Sequence, residues 1–104
     1  MDQEGAAPVF SVTAQVDGGQ LRVQVTGQVD MATADTMFQT ALREPAQRLT
    51  LDLRAVTFFD SAAIHAVVRL ARRFPAALTV LPSPQVRRVL DISGLGEQDW
   101  LAEA

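Results

Sequence analysis

The chain has 104 residues, a formal net charge of −3 and no cysteine. This length supports a single hydrophobic core, and the acidic balance disfavours nucleic acid as a partner, because nucleic-acid-binding surfaces need clustered positive charge. The absence of cysteine excludes disulfides, thiolate metal sites and cysteine nucleophiles.

Neither a membrane-spanning apolar run nor a signal peptide is evident in the sequence. We therefore expect a cytoplasmic protein with no membrane partner, and a monomer as the simplest state. Residues 1–7 are small and polar and predict a flexible N-terminal arm, and residues 8–104 predict a single domain.

The first predicted element is a β-hairpin. Apolar and polar residues alternate over residues 9–16 and again over residues 21–26, and a glycine-rich turn at residues 17–20 separates the two runs. Two alternating runs on either side of such a turn are typical of paired antiparallel strands.

A helix and a long strand follow the hairpin. Apolar residues recur at helical spacing over residues 33–43, where Asp30 or Thr33 is positioned to cap the helix. Alternating apolar residues then predict a strand over residues 49–53, which continues through residues 56–59.

The last third of the chain predicts a helix, a strand and a helix. Residues 62–74 form the first of these, with four residues expected to point inward: Ile64, Val67, Val68 and Ala71. Residues 76–81 are apolar enough for a strand buried on both faces. A third helix starts after Ser83 and ends near Gly94, and residues 100–101 form a short final element.

The predicted order is therefore β-β-α-β-α-β-α. Strands that alternate with helices imply crossover connections, with the helices packed on a sheet. The expected fold class is α/β, with a mixed sheet built from the N-terminal hairpin and parallel strands beside it.

One junction combines a strand end, two capping residues and a helix start. Asp60 and Ser61 lie between the apolar strand end and the strong helix formers that follow. Either side chain can accept hydrogen bonds from the free N–H groups of the first helical turn. The same N–H groups and the positive end of the helix dipole would also accommodate a phosphate on Ser61. Ser61 is thus either a helix cap or a phosphorylation site.

Other polar residues offer no enzymatic constellation. His65 is the only histidine and lacks a serine and an acid at triad spacing, so we interpret it as an exposed residue on a partner-facing surface. Metal ligands do not cluster and no phosphate-binding glycine-rich loop is present, so we expect no cofactor, no metal and no enzymatic activity. Asp30 either caps the first helix or contacts a partner. Ser93 either ends the third helix, with Gly94 as its C-cap, or contacts a partner.

Three separated segments together resemble STAS domains. Residues 26–30, with Thr33 and Ala34, resemble the first loop and helix of that family. Residues 51–61 resemble its central strand and phosphorylation loop. Residues 91–95 resemble the end of its third helix. The resemblance spans nearly the whole chain and implies a STAS-like fold. Compact STAS domains are anti-sigma factor antagonists, and this chain is similar to them.

The resemblance implies a function and a set of site residues. In that family the antagonist binds an anti-sigma factor that is also a serine kinase, phosphorylation of the serine after the loop aspartate ends the binding, and a serine phosphatase reverses it. By this resemblance Ser61 is the phosphoacceptor. The partner-binding residues that we predict are Asp30, Asp60, Ala62, His65 and Ser93.

The loop departs from the family pattern after Ser61. The family usually has Ser or Thr, then Gly, a branched residue and often another Gly, where this chain has Ala62, Ala63, Ile64 and His65. Alanine removes the conformational freedom of glycine and strengthens the helix. An alternative function stays open: a STAS subunit of a non-transcriptional complex, such as a lipid-transport complex or a signalling scaffold, in which Ser61 is a structural helix cap.

Overall fold

The computed structural model describes residues 9–103, and the arm predicted for residues 1–7 lies outside them. The predicted order of strands and helices is confirmed. The elements are β1 (Phe10–Asp17), β2 (Gln20–Val29), α1 (Ala34–Arg43), β3 (Arg48–Phe59), α2 (Ser61–Arg73), β4 (Leu78–Pro82) and α3 (Pro84–Ile92).

The four strands form one mixed sheet in the order β1-β2-β3-β4. β1 and β2 pair antiparallel across a turn in which Gly18 and Gly19 have φ of 60° and 84°, a left-handed conformation that suits glycine. β2, β3 and β4 run parallel. Their last residues, Val29, Phe59 and Pro82, therefore lie at one edge of the sheet, which we call the carboxyl edge.

All three helices share one core on a single face of this sheet. Alternate residues of β2, β3 and β4 point into that core together with the buried residues of the helices. Thr79, on the opposite face of β4, is exposed. The prediction that this strand is buried on both faces is therefore wrong, because the helices cover only one side of the sheet.

β3 is the longest strand and extends beyond β4. Its pairing with β4 ends at Leu53, whereas its pairing with β2 continues to Phe59 through two register shifts. Within residues 9–103, no strand lies beside the last residues of β3 on the β4 side. α3 packs against β3, and Phe59 and Val89 line a shared groove at the end of the strand.

The buried stripe of α2 is rotated from the predicted one. Its buried residues are Ala63, Ala66, Val67 and Leu70, while Ile64, Val68 and Ala71 are only partly buried. The small side chains of Ala63 and Ala66 let the helix approach the sheet closely, so they point into the core in place of the larger residues. This rotation turns Arg69 toward α1, where its Cζ lies 3.9 Å from the centroid of the Phe38 ring.

α3 is capped at both ends as its sequence predicts. The Ser83 hydroxyl accepts a hydrogen bond from the Val86 amide at 3.1 Å. At the other end Gly94 has φ of 81°, and the amides of Gly94 and Leu95 donate to the carbonyls of Asp91 and Leu90. The predicted short final element is a bridge between Leu101 and Val80, which covers the outer edge of β4.

Candidate functional site

Two loops meet at the carboxyl edge of the sheet. Val29 pairs with Phe59, and the Asp60 amide donates to the Val29 carbonyl at 3.3 Å. The loop that begins at Asp30 therefore lies beside the junction of Asp60 and Ser61. The structure thus brings together three of the residues that the sequence singled out.

Asp60 is the N-cap of α2. Its backbone is extended, its carboxylate accepts a hydrogen bond from the Ala63 amide at 3.1 Å, and its carbonyl accepts from the Ile64 amide at 3.0 Å. This is the arrangement that satisfies the free N–H groups of a first helical turn. Assigning Ser61 as the structural helix cap is therefore wrong, because the preceding aspartate fills that position.

Ser61 is the first residue of α2 and is exposed to solvent. Its side chain sits where the helix dipole is most positive and where amide N–H groups point outward. An enzyme can reach this residue without unfolding the domain. An anion attached to its oxygen would be stabilised by the helix rather than repelled by it.

Asp30 organises the loop that precedes α1. Its carboxylate accepts hydrogen bonds from the amides of Ala32 and Thr33 at 2.9 and 3.2 Å and lies 3.1 Å from the Thr33 hydroxyl. Thr33 occupies the N-cap position but makes no capping bond with its side chain. Since Asp30 is only half-buried, it can both hold this loop and face a partner.

Two large apolar side chains stand exposed beside these carboxylates. Met31, next to Asp30, is 83% exposed, and Phe58, next to the strand end, is 49% exposed. Phe58 pairs with Gln28 on the neighbouring strand, so both residues lie near the carboxyl edge. We name the set of Asp30, Met31, Phe58, Asp60 and Ser61 the docking surface. Exposed apolar residues grouped with polar ones are typical of protein–protein interaction sites.

A groove continues from the docking surface along the start of α3. It has a volume of about 450 Å³, and its lining includes Phe58, Pro84, Arg88 and Val89. A second cavity of about 430 Å³ shares Pro84 and Arg88 and extends to Ile92. The two cavities therefore extend the exposed apolar area at Phe58 along α3.

The residues after Ser61 divide between surface and core. Ala62 is half-buried and His65 is exposed, whereas Ala63 is completely buried. The Ala63 methyl group thus contributes to the core and is not available to a partner. Ala62 and His65 are therefore accessible, and their contact with a partner stays a prediction.

Ser93 lies away from this site. It is exposed at the C-cap of α3, whereas α3 begins at the carboxyl edge. A helix of nine residues is about 13 Å long at 1.5 Å per residue, and that length separates Ser93 from the start of the helix. The structure does not bring Ser93 to the docking surface.

A buried carboxylate on the polar face of the sheet was not singled out by the sequence. Asp52 is 4% exposed, and both of its oxygens accept hydrogen bonds from Arg54, at 2.9 Å each, with Arg22 adding a contact at 3.1 Å. The Arg54 hydrogen bond holds the pKa of Asp52 below its usual range, against the opposing effect of burial. An aspartate inside an apolar strand, two residues before an arginine, was the available signal.

Within residues 9–103, the structure contains neither a candidate metal site nor a candidate membrane-spanning helix. No group of three or more His, Cys, Asp or Glu side chains there could hold a metal ion. No helix of that part of the chain is long and apolar enough to cross a membrane.

The STAS domain family model matches residues 11–103. The chain belongs to the STAS family. No curated protein matches the chain. Among solved structures, this STAS domain resembles an anti-sigma factor antagonist from Mycobacterium paratuberculosis, with 24% identity, a TM-score of 0.77, and coverage of 94% of this chain and 90% of the other.

Two further solved structures are forms of one protein, SpoIIAA. The anti-sigma factor antagonist SpoIIAA in its unphosphorylated form is 20% identical, with a TM-score of 0.69 and coverage of 90% of this chain and 88% of the other. The Bacillus cell fate determinant SpoIIAA in its phosphorylated form is 19% identical, with a TM-score of 0.67 and coverage of 90% and 91%. At these identities the likeness establishes a shared fold.

Proposed function

We propose that this STAS domain is an anti-sigma factor antagonist that binds an anti-sigma factor with serine kinase activity and is switched off by phosphorylation at Ser61. Family membership and the names of the structural relatives support the general role. The observation that carries the site assignment is that Asp60 caps α2, which leaves Ser61 exposed at the first helical position. One relative is named in a phosphorylated form, which supports the mode of control.

Binding uses the docking surface. Met31 and Phe58 offer apolar area that is exposed in the free domain, and burying it against a partner is favourable. Asp30 and Asp60 flank this area with carboxylates, which favours a partner with cationic groups at its rim. The anti-sigma factor, once occupied in this way, releases its sigma factor, and transcription begins.

Phosphorylation reverses the binding through charge. The kinase transfers the γ-phosphoryl group of ATP to Ser61 Oγ, which loses its hydroxyl proton, and ADP leaves. The new group adds about 1.5 to 2 negative charges at neutral pH. The helix N-terminus accommodates that charge, so the fold persists, but at the docking surface it adds like charge and bulk. A loss of about 1–3 kcal/mol in binding lowers affinity by roughly ten- to a hundred-fold.

A serine phosphatase completes the cycle by hydrolysing the phosphate ester, which restores the hydroxyl and releases inorganic phosphate. In this scheme the domain is the substrate of both enzymes and supplies no catalytic group. It acts as a monomeric binding module in the cytoplasm, and residues 8–104 form its single domain.

Mixing the domain with its cognate kinase and ATP tests the proposal, with intact mass and complex size as the two measurements. We expect one added phosphoryl group and loss of the complex. Ser61→Ala removes the modification, whereas Ser93→Ala, a matched change at another exposed serine, leaves it intact. Phosphate uptake by the Ser61→Ala variant at the parent level contradicts the site, and equal binding of both forms contradicts the mechanism.

A further inference from the structure

Ser61 and His65 are neighbours on the surface of α2. They are four residues apart on the same helix, and both are exposed. Residues with this spacing have Cβ atoms about 5–6 Å apart. Helical side chains also tilt toward the N-terminus, so the imidazole of His65 leans over the turn that begins with Ser61.

We propose that His65 binds the phosphoryl group carried by Ser61 and holds it against the first turn of α2. This inference rests on the proposed function, since it concerns the modified form of the same serine. A phosphate brings three strong acceptor oxygens, and an imidazole offers one N–H donor when neutral and two when charged. An acidic group placed four residues N-terminal to a basic one is the favoured orientation for side-chain pairs on a helix, and a phosphate on Ser61 would stand in this relation to His65.

On this face of α2, His65 is the basic side chain nearest in sequence to Ser61, and the next one, Arg69, is engaged elsewhere. Arg69 lies one turn further along α2 and stacks on Phe38 of α1. Eight residues of helix place it about 12 Å along the axis from Ser61. Its guanidinium is therefore both distant from the phosphate and turned toward the neighbouring helix.

Two carboxylates near Ser61 already accept hydrogen bonds from backbone amides. Asp60 accepts from the Ala63 amide, and Asp30, on the loop that precedes α1, accepts from the Ala32 and Thr33 amides. On α1, Asp35 is exposed in the first turn. The other charged residues of these helices are Arg69, Arg72 and Arg73 on α2 and Arg43 on α1. The carboxylates of Asp30 and Asp60 oppose an uncompensated phosphate, so pairing with His65 relieves the repulsion that phosphorylation introduces.

The pairing has a mechanical consequence for the switch. A phosphate held by both the helix N-terminus and His65 has one preferred position on the docking surface, to which Ser61 belongs. The modified side chain then blocks the partner as a fixed group rather than as a mobile one that can turn aside.

Nuclear magnetic resonance on a domain with phosphoserine encoded at position 61 tests this inference. His65 is the only histidine among the 104 residues, so its ring resonances are unambiguous. We expect them to shift between the unmodified and modified forms. We also expect the ³¹P resonance of the phosphoserine to titrate about 0.3 pH unit lower in the parent than in His65→Ala, because a nearby cation favours the dianion.

Two controls separate pairing from general effects. His65→Gln keeps a hydrogen-bond donor without the charge and should recover only part of the shift in the ³¹P titration. Phosphoserine encoded at Ser93, on a different helix, should leave the His65 resonances unchanged. Unchanged ring resonances, or identical ³¹P titrations of the parent and His65→Ala, overturn the inference.

The test is independent of the kinase, because phosphoserine is installed during translation. If His65 responds to phosphoserine at position 61 but the cognate kinase leaves Ser61 unmodified, the proposed function fails while the pairing stands. If the kinase modifies Ser61 and the ring resonances stay unchanged, the pairing fails while the proposed function stands.

Discussion

The Asp60 carboxylate accepts a hydrogen bond from the Ala63 amide at 3.1 Å, so Asp60 rather than Ser61 caps α2. Two adjacent residues that sequence patterns treat as interchangeable caps therefore have separate tasks. The aspartate secures the start of α2, and the serine stands exposed at the first helical position. A cap that does not depend on the serine allows that serine to be modified without loss of the fold.

The division of tasks predicts unequal effects of two alanine substitutions. Asp60→Ala should lower the free energy of unfolding by about 1 kcal/mol, because it removes the capping acceptor. Ser61→Ala should change it by less than about 0.5 kcal/mol, as for an exposed residue without such a contact. Urea denaturation measures both, and Asp60→Asn, which keeps an acceptor oxygen, serves as the control. A larger loss for Ser61→Ala would show that the serine caps the helix.

The sequence could predict the order of elements, the mixed sheet and the junction at Asp60-Ser61, because hydrophobic periodicity and turn residues are local signals. It could not choose between two neighbouring caps, since both residue types satisfy the same N–H groups. The sequence also could not predict which face of α2 is buried. Ile64 and Ala63 both fit an apolar stripe, and only packing against the sheet favoured the smaller residue at the buried position.

The two arginines that contact Asp52 should contribute unequally to stability. Arg54 makes two side-chain hydrogen bonds to the carboxylate at 2.9 Å, whereas Arg22 makes one at 3.1 Å. Charge-assisted hydrogen bonds are stronger than neutral ones, and solvent screens both of these largely exposed arginines. We expect Arg54→Ala to cost more than Arg22→Ala in the free energy of unfolding, with each serving as the other's control. Equal losses would contradict the bidentate geometry as the stabilising feature.

The same carboxylate should make stability depend on pH in the acid range. The pKa of Asp52 is lowered in the folded domain, chiefly by the Arg54 hydrogen bond, so its contribution is complete above about pH 4, the ordinary titration range of an unfolded aspartate. As pH falls below that range, the unfolded chain takes up the proton first and the contribution is lost. The difference in unfolding free energy between the parent and Asp52→Asn should stay constant from neutral pH to about pH 5 and shrink below about pH 4. A difference of the same size at pH 3 would rule out the ion pairs as its source.

Gly27 should be intolerant of any side chain. Its φ is 89°, and a Cβ at this position would overlap the carbonyl oxygen of Val9, which accepts a hydrogen bond from the Gln28 amide at 2.7 Å. Gly27→Ala should therefore destabilise the domain by several kcal/mol, from both backbone strain and lost pairing of β1. Gly18→Ala is the matched control, because Gly18 also has positive φ but a Cβ there meets no atom within 4 Å. We expect the control to lose only about 1 kcal/mol in chemical denaturation.

The sequence could not predict that Met31 and Phe58 are exposed, because large apolar residues beside strand ends are usually expected to be buried in the core. The loop held by Asp30 turns Met31 outward, and the alternation of β3 directs Phe58 away from the core face that buries Phe59. The sequence therefore indicates where Ser61 and its neighbouring aspartates lie, and their role stays a prediction. The exposed apolar side chains beside them depend on the folded loop and strand.

These two side chains predict a binding effect that is separate from stability. If the docking surface binds the anti-sigma factor, Met31→Ala and Phe58→Ala should each weaken the complex about five-fold or more, the loss expected for an apolar residue at the centre of an interface. Met31→Ala should leave the free energy of unfolding within about 0.5 kcal/mol of the parent, since the side chain is 83% exposed. Titration calorimetry with the unphosphorylated domain measures the affinity.

Val16→Ala provides the control for this prediction. Val16 is 51% exposed, but it lies beside the hairpin turn, at the opposite end of the sheet from Asp30 and Asp60. A general loss of apolar surface would weaken binding equally in all three variants, whereas docking at the carboxyl edge weakens it only for Met31→Ala and Phe58→Ala. Equal affinities for the parent and Met31→Ala would place the partner elsewhere on the domain, and phosphorylation of Ser61 would then need another way to act than charge and bulk at the interface.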